Sequence, residues 1–543
     1  MIRNPILRGF NPDPSICRVG DDYYIATSTF EWYPGVQLHH SRDLVKWRLV
    51  GRALDRKSQL DMRGNPDSGG IWAPCLSYAD GLFWLVYTDV KRLDGAFKDT
   101  HNYIVTAPSV EGPWSDPVYV NSSGFDPSLF HDDDGKKWFL NMLWNHVSSG
   151  VGGQPKHPSF AGILLQEYDP AAGRLIGEAV NIFEGSPLGL VEGPHLFKRD
   201  GWYYLTTAEG GTGYGHAVTM ARSRNIAGPY EMHPNVHLIT SKDAPEAVLQ
   251  RAGHGQLVVT PAGEIYHTHL CSRPLPGTRR SPLGRETAIQ KCVWKDDGWL
   301  YLEHGGQVPA VEVPAPRGAA EPKPLPRIER YDFDEAKLPL DFQWLRIPEW
   351  QRLFSLEARA GHLRLYGRES IGSWFEQALV ARRQDAFDFR AETVVEFTPT
   401  SFQQAAGIVH YYNRHKFHFL AITHDARLSG RVLTVMSCPG DWPDGRLTFP
   451  MAEPVRLPGD GPVGLAAEVR GAELAFHFAA VDGEWQQAGG VLDASVISDE
   501  GGRGEHGSFT GAFIGMAAFD TSGRGAHADF DWFTYERLAP GAA

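Results

Sequence analysis

Residues 13–30 read DPSICRVGDDYYIATSTF: an acidic residue and a proline, a short apolar stretch, a polar turn, then an aromatic-rich stretch. The pattern returns as APCLSYADGLFWLVYTDV from Ala73, DPSLFHDDDGKKWFLNMLW from Asp126, GPHLFKRDGWYYLTTAEG from Gly193 and GHGQLVVTPAGEIYHTHL from Gly253. Successive starts lie 60, 53, 67 and 60 residues apart. Asp21-Asp22, Asp80-Gly81, Asp134-Gly135, Asp200-Gly201 and Ala262-Gly263 are turn pairs between two strands, so each unit opens as a hairpin. Further strand-like pieces such as residues 44–47 and 117–120 follow. Units of this length hold about four strands each, and five of them predict a five-bladed β-propeller over residues 1–307. A β-sandwich with accidental repeats is the alternative, and five turns in one register weigh against it.

Outward from the repeats the composition changes. Residues 308–326 read VPAVEVPAPRGAAEPKPLP and lack periodicity, which predicts a stiff Pro-rich linker over 308–327. Alternation then returns. Ala526, Ala528, Phe530 and Trp532 are apolar at even positions, and residues 391–397 behave similarly. This predicts an all-β chain whose second domain, 328–543, is an antiparallel β-sandwich. A chain of 543 residues is too long for one ordinary core and suits two domains.

The formal net charge of −13 argues against nucleic acid as the main partner, because phosphate binding needs a basic surface. No apolar run approaches a membrane span, and no apolar stretch follows Met1, so neither a membrane partner nor a signal peptide is expected. Cys17, Cys75, Cys271, Cys292 and Cys438 are scattered and odd in number. They read as reduced, buried thiols, and the expected compartment is the cytoplasm.

In a propeller, residues at the inner-strand starts converge on one axis from distant parts of the chain. Asp13-Pro14, Asp126-Pro127 and Glu192-Gly193-Pro194 therefore bring three carboxyl groups into one neighbourhood, none with a basic partner at its own repeat start. Pro14 and Pro127 are expected to hold the preceding Asp extended. A lone Asp-Pro is usually a turn or cap; three carboxyls at matched positions point to a site. Converging acids raise one another's pKa, so that one stays protonated while another ionises. Glycosidic cleavage needs that division. Glu192 lies one residue ahead of the aligned register, which leaves its aim open.

The runs GFNPDPS, TSTFEWYPGV, GGIWAPCL, GFDPSLF, VEGPHLF, AGHGQLV and GRETAIQ, in this order and spacing, resemble glycoside hydrolase family 43, in particular its two-domain β-xylosidases. The resemblance covers both halves of the chain. It implies a five-bladed propeller with a concanavalin-like sandwich, and inverting, exo-acting release of xylose from the non-reducing ends of β-1,4-xylo-oligosaccharides. It implies Asp13 as general base, Glu192 as general acid, and Asp126 as the group that orients and tunes the acid. Arg285 resembles the family's sugar-binding arginine, with a surface salt bridge as the alternative. Phe30, Trp72 and Trp144 would wall the pyranose, Trp72 beside Ala73 at a blade start; propeller core is the rival role for these aromatics. Phe509, in GSFTGAF from Gly507, would lean over the propeller mouth and close one end of the cleft.

His254 opens the fifth unit. The resemblance allows a calcium ion in the propeller channel with His254 as its ligand; a hydrogen-bonded neutral imidazole is the alternative, and no cofactor is required. His267 and His269 share a strand face, but no third zinc ligand is evident. A homo-oligomer is expected from the resemblance alone. The rival functions are an α-L-arabinofuranosidase, a retaining invertase-like hydrolase with NDPN, RDP and EC motifs, and a non-catalytic sugar-binding propeller.

Overall fold

A computed structural model describes the chain except for residues 147–158, 322–323, 441–445, 481–482, 503–507 and 540–543. No α-helix occurs among the described residues. Five small antiparallel sheets form the first domain. Blade 1 is built from Ser15–Val19, Asp22–Thr27, Gly35–Ser41 and Arg48–Leu54, hydrogen-bonded in that order. Blades 3 and 4 repeat this meander from Ser128–His131 and Glu192–Arg199. Blade 2 starts at Cys75–Ala79 and gains Gly70–Ile71 as an extra strand. In blade 5 both Gln250–Gly253 and Leu257–Val259 pair with Ile265–Ser272.

The hairpin chemistry explains the repeat. Asp80-Gly81 and Asp200-Gly201 are two-residue loops with positive φ at both positions, the conformation that matches strand twist and favours glycine. In blade 1 the loop is Gly20-Asp21, because Val19 pairs with Asp22; the expected Asp21-Asp22 centre is off by one. Gly20 supplies the positive φ there. The ring closes through the N-terminus. The Ile6 and Leu7 N–H groups donate to the Thr287 carbonyl, and Ser15 Oγ in blade 1 donates to Gln256 in blade 5 at 2.6 Å.

The predicted linker is not free of regular structure. Glu312–Val313 pairs with Ile2–Arg3 and buries Val313, so the first part of this segment is packed on the propeller. Its two-residue strand is too short to leave a period in the sequence.

The second domain has two antiparallel sheets, of nine and eight strands, with a shared core that includes Phe389, Leu465, Phe530, Ile408 and Leu420. Asp388–Glu396 alternates buried and part-buried residues throughout. In His527–Arg537 the alternation slips: Ala528 and Phe530 are buried, then Phe533 and Tyr535, with a register shift against Thr393 and Val395. That bulge moves Trp532 off the core face. The eight-stranded sheet ends on a strand from the other domain: Trp32–Tyr33, from blade 1, pairs with Trp344 and Leu345. Trp32 also stacks on Phe513 at 3.7 Å between centroids. Shared backbone hydrogen bonds and a continuous apolar core therefore join the domains next to the propeller mouth.

Candidate active site

The inner strands of the blades begin at one end of the propeller, and there the backbone bends sharply. Asp13, Asp126, Gly193 and His254 have φ of 55°, 54°, 56° and 32°. The two aspartates are therefore left-handed rather than extended, which corrects the expectation drawn from Pro14 and Pro127. Asp tolerates this region better than most residues, yet the conformation still costs on the order of 1–3 kcal/mol and needs a supporting structure. In blade 4 Gly193 takes the strained position, so the carboxyl is carried by the residue before it. In blade 5 that position is His254, one residue after the aligned Gly253.

These bends surround one cavity of about 480 Å³. Asp13, Asp126, Glu192, His254 and Arg285 line it with Phe30, Trp72, Ala73, Trp144 and Phe509. Every candidate residue from the sequence reaches this one space. Its wall is largely aromatic and its polar groups converge, the usual build of a small-ligand pocket.

The three carboxyls sit in different surroundings. Asp13 does have basic partners, but from blade 5. Arg285 Nη1 donates to Asp13 Oδ1 at 2.9 Å, His254 Nδ1 lies 3.5 Å from the same oxygen, and Ser28 Oγ donates to Oδ2. Burial alone would raise the Asp13 pKa; Arg285, then His254 and Ser28, outweigh it and hold this carboxyl well below the usual range. Glu192 is also buried but makes no side-chain hydrogen bond among the described residues. Burial first, and the charge of Asp13 second, push it up to about 8, with Arg285 opposing. Asp126 is pushed upward by burial and by Glu192. At neutral pH the site thus holds one firm carboxylate, Asp13, facing a protonated Glu192. Arg285 is neither a surface ion pair nor free: Nη1 holds Asp13 and Nη2 donates to the Phe509 carbonyl at 3.0 Å.

The aromatic walls contact one another. Trp72 meets Phe509 edge-on at 6.1 Å between centroids and Phe125 at 5.0 Å. Phe30 lies 6.2 Å from Trp72 and under the Arg285 guanidinium. Trp144 donates its Nε1 to the Ala96 carbonyl at 2.8 Å, with Lys98 over its ring. Phe509 brings the second domain into the pocket; Gly507, at the start of its motif, lies outside the described residues.

His254 by itself offers calcium one nitrogen, so an ion on it would draw most of its ligands from water. Nδ1 of His254 faces Asp13, and Nε2 lies against Gly193, 2.8 Å from where a Cβ would stand. Among the described residues no three His, Cys, Asp or Glu side chains gather to hold a metal, whereas calcium takes six to eight oxygens. His267 and His269 are buried, and His269 Nδ1 bonds the Leu270 carbonyl.

Ser28, a partner of Asp13, and several lining residues went unnoticed in the sequence. Ser28 stood inside a quoted motif, but only the fold turns it onto Asp13. Asp94, Lys98 and Thr212 lie on loops outside the hairpin units, where the repeat carries no signal.

The family described as Glycosyl hydrolases family 43 matches residues 2–300, and the Beta xylosidase C-terminal Concanavalin A-like domain matches 330–536. The chain is 60% identical to Xylosidase/arabinosidase 43B of Humicola insolens, covering 98% of this chain and 97% of that one. It is 49% identical to a beta-xylosidase of Bacillus subtilis (strain 168), over 98% and 99%. The crystal structure of xylan beta-1,4-xylosidase from Bacillus halodurans C-125 superposes with a TM-score of 0.93 at 51% identity, covering 99% of this chain and 100% of that one.

Proposed function

Because the chain belongs to glycosyl hydrolase family 43, a glycoside hydrolase on a propeller with a concanavalin-like domain, we propose that it releases single xylose units from the non-reducing ends of β-1,4-xylo-oligosaccharides by inversion. The observation that carries this reading is the pairing of an ionised Asp13 with a protonated Glu192 in one cavity.

In this mechanism Glu192 gives its proton to the glycosidic oxygen as the bond from that oxygen to C1 breaks. A water attacks C1 from the opposite face and passes its proton to Asp13. Asp126, which lines the same cavity and is itself pushed towards its neutral form by burial and by Glu192, serves to orient the acid. Asp13 is a weak base while Arg285 holds it; its contribution is a fixed place and a certain negative charge beside the water. The aromatic walls seat the pyranose and exclude bulk solvent. Phe509 stops the chain from passing through, so a terminal sugar can enter but an internal one cannot.

Proton NMR of the first turnover on a β-xyloside tests the stereochemistry. α-Xylose is the expected first product; an initial β-anomer overturns the role of Asp13. A second reading, α-L-arabinofuranosidase activity at the same site, is favoured by the Humicola insolens relative, which is named for both sugars. Turnover of aryl β-xyloside against aryl α-arabinofuranoside ranks the two.

A further inference from the structure

Two consecutive peptide N–H groups at the pocket's closed end are held from opposite domains. The Phe509 N–H donates to Ser68 Oγ of the propeller at 3.0 Å. The Thr510 N–H donates to the Tyr412 hydroxyl of the sandwich at 2.9 Å. Ser68 also fixes the facing wall, since its carbonyl accepts from Trp72 Nε1 at 2.8 Å, while its N–H donates to the buried Glu31 at 3.0 Å. Tyr412 is buried, and its hydroxyl donates to Asp499.

From Asp499 the connection returns to the propeller. Arg251, buried in blade 5, gives Nη2 to Asp499 and Nη1 to Glu500, each at 2.9 Å. Its Nε donates to the Thr212 carbonyl at 2.7 Å, and Thr212 lines the cavity. One buried chain therefore runs Thr212, Arg251, Asp499, Tyr412, Thr510 and so links two parts of the rim through the second domain.

We propose that Tyr412 and Ser68 are positioning residues that set Phe509 against Trp72 and thereby tune the pocket for the terminal sugar. The inference rests on the reading of this cavity as the xylose pocket. An N–H that loses its acceptor away from bulk water is costly, so removing either oxygen lets one of the two peptides flanking Phe509 shift and carries its side chain with it. Neither residue touches the three carboxyls directly; the one link is the Phe509 carbonyl, which accepts from Arg285, so the effect falls mainly on sugar binding rather than on bond cleavage.

Tyr412→Phe deletes one oxygen and keeps the ring. The xylobiose KM and the calorimetric Kd for free xylose should both rise about tenfold, the worth of roughly one such hydrogen bond. The kcat should change far less. Ser68→Ala should reproduce the pattern from the other domain, and it carries the test if Tyr412→Phe does not fold. The double variant should lose less than the product of the single losses, because both act on the placement of Phe509. An unchanged xylose Kd in the folded variants overturns the proposal, as does a fall in kcat at constant KM. A wild-type protein that neither binds xylose nor releases it from xylobiose overturns the xylosidase reading itself.

Discussion

Asp13 and Glu192 are buried to almost the same extent, 4% and 8% exposed, yet they are driven to opposite charge states. Burial pushes both carboxyls towards the neutral form. At Asp13 a guanidinium, an imidazole and a hydroxyl reverse the effect. At Glu192 nothing does, and the carboxylate across the cavity adds to it. The contrast teaches that in this pocket partners decide charge, and burial only sets how much each partner counts.

The largest expected effect separates the two directly. Glu192→Gln should cut xylobiose turnover about a thousandfold or more, but an aryl xyloside with a low-pKa leaving group far less, since that group leaves with little proton assistance. Asp13→Asn should damage both substrates about equally. Equal losses for the two substrates in Glu192→Gln would break the comparison.

A smaller effect tests what holds Asp13. In the wild type, kcat/KM should fall as pH rises through about 8, because ionised Glu192 has no proton to give. Acid should abolish activity only at pH values well below the ordinary carboxylate range. The Arg285 charge lowers both groups, so in Arg285→Met both limbs of the pH profile should move upward, with kcat/KM down on the order of a hundredfold. An acid limb that stays in place would show that Arg285 is not what keeps Asp13 ionised.

The smallest effect is on stability. The folded value of Glu192, about 8, exceeds its ordinary 4.5. Its contribution is therefore complete below pH 4.5 and is lost progressively as pH rises to about 8. Glu192→Gln cannot ionise in either state, so it should melt about 2 °C or more above the wild type at pH 8 and equally at pH 4. Thermal melts at the two pH values check this, and no gain at pH 8 would mean that Glu192 is already ionised in the folded protein.

The blades were readable because a hairpin is a local object. Asp80-Gly81 and Asp200-Gly201 show their turn in two residues, and the apolar stretches beside them show the strands. The same repeat register placed Asp13, Asp126 and His254 at strand starts and Glu192 one residue ahead of one, and motif resemblance added Arg285 and Phe509. Less visible were the left-handed backbone at Asp13 and Asp126, where Pro14 and Pro127 suggested the opposite, and the two-residue strand Glu312–Val313 within a Pro-rich stretch.

By itself, then, the sequence determined the repeated blades, the alternating second domain, and which acids stand at the propeller mouth. Tertiary structure alone decided which acid is charged, since Arg285 reaches Asp13 across 272 positions of chain. It also decided that Trp32–Tyr33 completes a sheet of the other domain. The physical reason is range. Turn and strand preferences act between neighbours and leave a pattern in the text, whereas desolvation, ion pairing and sheet-edge pairing depend on what the fold brings close in space.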